Sequence, residues 1–119
     1  MPTPSVLFRA DAGPNIGLGH LQRSLSLADA LHQMAVEVRF LTDTNTEGQK
    51  RAESRGFKMD LLETTDCWSI ADVQKTCEMA ALNGCGTIVV DSHESTPEYL
   101  RLIRSAGFYV ISRDDLSLS

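Results

Sequence analysis

A chain of 119 residues, 42% of them hydrophobic and 23% charged, is long enough for one domain with a sizeable core and too short for two. That composition excludes a disordered segment, and a formal net charge of -5 without a basic stripe excludes a nucleic-acid surface. No apolar run approaches the length of a membrane span and nothing resembles a signal peptide, so the expected setting is the cytoplasm, without a membrane partner.

In chain order, Ser5–Ala10 carries the apolar run Val6, Leu7 and Phe8, the mark of a strand buried on both faces. It ends at a polar, glycine-containing loop, Asp11–Gly19. From His20 to Met34 the apolar spacing becomes helical, with Leu21, Leu25, Ala28 and Leu31 on one face. Val36–Leu41 reads as a second strand. Thr46–Arg55 is polar apart from Ala52 and reads as a short exposed helix stopped by Gly56. Phe57, Met59 and Leu61 alternate with polar residues as a third strand would.

Between Trp68 and Asn83, the residues Ile70, Val73, Cys77, Ala80 and Ala81 form a helical stripe closed by Gly84. Thr87–Asp91 is a β-branched strand that finishes on an acid. Ser95, as N-cap, stands three residues before Glu98 with Pro97 in the first turn, a helix start signal; Leu100, Ile103 and the Arg104 stem are expected on the inner side. Gly107 ends this helix and Phe108–Ile111 forms a fifth strand. Cys67, Cys77 and Cys85 lack metal-binding or disulfide spacing and are expected to be buried, inert thiols.

Strands alternating with helices through short connections predict an α/β, Rossmann-like three-layer domain with a parallel sheet in the order 3-2-1-4-5. Such sheets bind ligands beyond the carboxyl ends of their strands, at the switch point between strands 1 and 4. Asp11–His20 and Asp91–Glu94 both fall there. Gly17-x-Gly19 lacks the third glycine of a dinucleotide fingerprint, and no Lys-Ser or Lys-Thr follows to make a P-loop, so neither cofactor class is expected.

His20 begins the first helix. The positive end of the helix dipole disfavours its imidazolium, leaving a neutral ring able to accept a proton; a simple capping histidine is the bland alternative. Asp91, Ser92, His93 and Glu94 are suited either to substrate hydroxyls or to bonding their own loop and capping the following helix. A metal site built from Asp11, His20, Asp91 and His93 has no supporting spacing, and no metal is expected.

Phe8-Arg9-Ala10-Asp11-Ala12, then Ile16-Gly17-Leu18-Gly19-His20-Leu21-Gln22-Arg23, then Leu25 to Leu31 resemble the opening of the UDP-2,4-diacetamido-2,4,6-trideoxy-β-L-altropyranose hydrolases of pseudaminic acid synthesis. Val89-Val90-Asp91-Ser92, Tyr99, Leu102, Gly107 and Asp114-Asp115-Leu116 follow in the expected order, so the resemblance spans the chain. It implies the N-terminal half of a glycosyltransferase-B-like arrangement, with the active site between two Rossmann-like domains. It implies metal-independent release of UDP from a UDP-activated deoxyamino sugar by inverting attack of water, with His20 as general base. It also implies substrate-binding roles for Arg9, Asp11, Gly17, Gly19, Arg23, Asp91, Ser92 and His93. His93 replaces a tyrosine frequent in the family, which bears on sugar selectivity. Residues 1–119 are expected to form a single domain, with the C-terminal nucleotide-binding domain missing and turnover by this chain alone very weak or absent. A related glycosyltransferase and a non-catalytic domain are the alternatives.

Overall fold

A computed structural model describes residues 4–10, 19–42, 46–62, 69–91 and 96–112, with residues 19–21 and 46–49 described as backbone. Five parallel strands, β1 (Ser5–Ala10), β2 (Glu37–Thr42), β3 (Lys58–Leu61), β4 (Thr87–Asp91) and β5 (Tyr109–Ser112), form one sheet in the order β3-β2-β1-β4-β5. The helices are α1 (Gly19–Gln33), α2 (Thr46–Ser54), α3 (Ile70–Leu82) and α4 (Pro97–Ser105). Both the alternation and the strand order are those predicted from the sequence.

The strands bury both faces because the pleat sends successive side chains to opposite sides. On one side Phe8, Val38, Phe40, Met59 and Val89 pack with Leu25 and Ala28 of α1 and Ala52 of α2. Phe40 is the hub, its ring centroid 5.1 Å from Phe8 and 5.7 Å from Phe57. On the other side Leu7, Leu41, Ile88, Val90 and Val110 pack with Val73 and Ala80 of α3 and Tyr99 and Ile103 of α4. Ala52, the lone apolar residue of α2, is fully buried, and Arg55 just beyond that helix pairs with Asp29 of α1. Among the described residues, this apolar contact and this ion pair help seat an otherwise polar helix.

Helix ends follow a shared rule with one exception. Gly56 and Gly84, after α2 and α3, have φ of 87° and 68°, and the amides of Phe57 and Cys85 turn back to the carbonyls of Ala52 and Ala80. After α1 the same turn is made by Ala35, at φ 64°, with the Val36 amide 3.0 Å from the Leu31 carbonyl. An alanine there carries the steric cost of a left-handed backbone that glycine avoids.

Two expectations about helix faces are corrected. In α3, Ile70 is 67% exposed and Ala81 is exposed, while Asp72 and Thr76 join Val73 and Ala80 inside. Apolar spacing misplaces this face because a buried arginine on β1 draws Asp72 inward. In α4 the N-cap is Thr96 rather than Ser95, its hydroxyl accepting from the Tyr99 amide at 3.1 Å, which puts Pro97 at the first helical position. The rotation buries Tyr99 with Ile103, leaves Leu100 half-buried and exposes Arg104. Among the described residues no helix is long and apolar enough to cross a membrane.

Candidate functional site

The carboxyl edge of the sheet gathers β1 ending at Ala10, β2 at Thr42, β4 at Asp91 and β5 at Ser112. All four are buried, and three are polar, unlike the hydrophobic strand centres. Register sets Ala10 beside Asp91 and Arg9 beside Val90. The switch point between β1 and β4 thus lies at the strand ends Ala10 and Asp91.

His20 is the second residue of α1, directly after Gly19, and so sits in the helix's first turn at this edge. Unpaired amides and the positive dipole end make that position favourable for anions and unfavourable for an imidazolium. Four residues on, the buried Ser24 hydroxyl donates to Asp91 Oδ2 at 2.6 Å. The guanidinium of Arg23, about half exposed, lies with its Nη2 3.8 Å from Asp91 Oδ1. The fully buried carboxylate of Asp91 therefore ties the end of β4 to the first turns of α1 and holds a cation at the rim.

Arg9 takes the other side. Its parity along β1 matches Leu7, which faces α3 and α4, and its side chain is completely buried. Nε and Nη2 donate to Asp72 Oδ1 and Oδ2 at 3.2 and 2.8 Å, a bidentate pair, while Nη1 donates to the Ala10 carbonyl at 3.2 Å. The same Asp72 carboxylate accepts from the Thr76 hydroxyl at 2.9 Å and from the Tyr99 phenol at 2.7 Å. Burial pushes the Tyr99 phenol well above its ordinary range, an effect that Arg9 opposes and Asp72 reinforces.

The structure thus brings Arg23 and Asp91 together and separates Arg9 from them by the thickness of the sheet. Arg9 is packed inside the chain with protein partners. Asp11, Gly17, Ser92 and His93 lie outside the described residues. Among the described residues no cluster of three or more histidine, cysteine, aspartate or glutamate side chains suits a metal ion. Sequence reading missed Ser24, Asp72, Thr76 and Tyr99. Ser69 three residues before Asp72 carried a detectable signal, since Ser-x-x-acid is a helix-start pattern. The Ser69 hydroxyl does meet the Asp72 amide, at 3.4 Å.

A concavity of about 270 Å³ lies at the opposite edge and is lined by residues including His32, Glu37, Arg39, Lys58 and Asn83. Three helices end beside it, so its cations complement the negative ends of those helices.

No protein-family model matches the chain, and no curated protein matches it in sequence. Solved structures match in fold. A glycosyltransferase from Rickettsia africae ESF-5 superposes with a TM-score of 0.73 at 8% identity, over 94% of this chain and 30% of that one. MurG from Acinetobacter baumannii gives 0.66 at 12% identity, over 93% and 34%. Glycinamide ribonucleotide transformylase 1 from Symbiobacterium toebii gives 0.65 at 11% identity, over 92% and 50%. The chain spans half or less of the length of each. These likenesses establish an α/β, Rossmann-like fold, and their spread across different chemistries shows that the fold alone does not choose among them.

Proposed function

We propose that this chain is the sugar-side, base-bearing part of a nucleotide-sugar hydrolase that releases UDP from an activated diacetamido-trideoxy sugar. The observation that carries the proposal is His20 in the first turn of α1, at the carboxyl edge beside the Asp91–Ser24–Arg23 cluster. The resemblance of Arg9 to Leu31 and of Val89 to Ser92 to the hydrolase family supplies the reaction.

In that reaction His20 accepts a proton from water as the water oxygen attacks the anomeric carbon. The bond from that carbon to the diphosphate oxygen breaks, and UDP leaves with the electron pair. A diphosphate is a good leaving group, so the chief needs are an activated water and stabilisation of the departing anion. The neutral ring favoured at a helix start suits the first need. Arg23, anchored by Asp91 and half open to solvent, suits the second. In the two-domain arrangement that the resemblance implies, the remaining nucleotide contacts belong to a second domain, and this chain alone turns over weakly or not at all.

His20→Gln in the complete enzyme tests this. UDP release is expected to fall by about 100-fold or more, as for loss of a general base, with the thermal midpoint unchanged. Retained release would remove His20 from the chemistry. The likeness to a glycosyltransferase and to MurG favours one alternative, a transferase on the same scaffold. Transfer of the sugar to a carbohydrate acceptor instead of water would select it.

A further inference from the structure

Arg9 stands in the motif that suggests a substrate contact, yet its side chain is fully buried and bound to protein atoms. Its partners are distributed in a particular way. Asp72 is the third residue of α3, behind the N-cap Ser69, and Tyr99 is the third residue of α4, behind the N-cap Thr96. Arg9 itself is next to last in β1, and it also donates to the carbonyl of Ala10, the residue that ends the strand. The cluster therefore joins three separate elements at the one edge where the candidate site lies.

We infer that Arg9 is a positioning residue, the centre of a buried clasp that fixes the end of β1 and the first turns of α3 and α4 relative to one another. The inference deepens the hydrolase proposal and rests on it for its catalytic consequence. The physical case is local. A guanidinium enclosed in protein needs a carboxylate partner, and Asp72 meets it with two oxygens in fork geometry. The carboxylate is then saturated by hydroxyls from α3 and α4, so a shift of either helix start leaves a buried polar group short of a bond. The Ala10 carbonyl is the outlet of this constraint, because the chain runs from Ala10 straight into the Asp11–Gly19 segment. Asp91 braces the other face through α1, so the switch point is held from both sides of the sheet.

Tyr99→Phe tests the clasp with little change of volume, since it removes one hydroxyl that donates to Asp72. Amide hydrogen exchange of the full chain is followed by NMR. Exchange at Ala10, Val73 and Leu100 is expected to rise about tenfold, the equivalent of one buried charge-assisted bond. Val38, Phe40 and Met59 are expected to stay within about twofold, because they pack on the other face. A uniform rise through the sheet, or none at Ala10, overturns the inference. If Tyr99→Phe does not fold, Thr76→Val removes a bond to the same carboxylate and is judged by the same amides.

In the complete enzyme, Tyr99→Phe is expected to lower kcat about tenfold with KM within about twofold, because a misplaced base slows chemistry more than binding. An unchanged kcat contradicts a positioning role. A wild-type enzyme that releases no UDP defeats the hydrolase proposal instead, and the exchange pattern then judges the clasp by itself.

Discussion

At the residue scale, the deciding feature is that charge is buried on both faces of the strand ends and satisfied there. Arg9 and Asp72 are fully withdrawn from bulk solvent, and the cost of desolvation offsets their attraction, so the pair is not a large net source of stability, although losing one partner strands the other. Tyr99 completes the arrangement, and its phenol gives a pH signature. Burial raises its pKa in the folded chain above the ordinary value of 10.0. The unfolded chain therefore releases that proton first as pH rises. Tyr99 contributes stability that is fully present below pH 10.0 and is lost as pH climbs towards the folded value. Urea unfolding across this range is expected to show a falling alkaline limb that Tyr99→Phe makes shallower. An identical slope in the two proteins would mean that the phenol is not coupled to folding. None of this is visible in composition: Asp72 interrupts an apolar stripe, and sequence periodicity gives a buried aspartate no reason to be inside until its partner on β1 is known.

Among elements, apolar period and turn chemistry agree, and this is why most boundaries could be read in advance. Each strand is apolar or alternating, α3 and α4 begin at the polar caps Ser69 and Thr96, and glycine stands after three of the four helices. Misplaced faces arose where a polar residue did the packing, at Asp72 and Thr76 of α3, and where a threonine displaced a neighbouring serine as cap, at Thr96. α1 ends without glycine, and this exception predicts a gain. Ala35→Gly relieves a left-handed alanine at the cost of some unfolded-state entropy, for a net of about 1 kcal/mol. The Tm should rise by about 4 °C for a chain of this size. An unchanged or lower Tm would show that the Leu31–Val36 turn carries no strain. The residue is exposed and far from the carboxyl edge, so ligand binding is expected to be unaffected.

For the whole molecule, parallel topology fixes where a ligand belongs before any chemistry is considered. β1 is central, with β2 on one side and β4 on the other, and in sheets of this topology the ligand crevice lies beyond the strand ends at that switch point. Edge and switch point were legible from the order of strands and helices. The division of labour there was not: Arg23 and Asp91 act together on the α1 face, whereas Arg9 works through Asp72 and Tyr99 on the opposite face. Strand parity alone could have separated Arg9 from Asp91, but only once the register Ala10 to Asp91 was known. Folds of this type also occur in a glycosyltransferase, MurG and a transformylase, so the proposed function rests on His20 and its reaction with water, not on the fold.

The most direct test of that claim is to let the complete enzyme consume the UDP-sugar in heavy-oxygen water and locate the label. Attack of a His20-activated water at the anomeric carbon predicts label on that carbon of the free sugar, with inverted configuration and none in UDP. Label in the UDP phosphate, or an unlabelled sugar delivered to an acceptor, would contradict it.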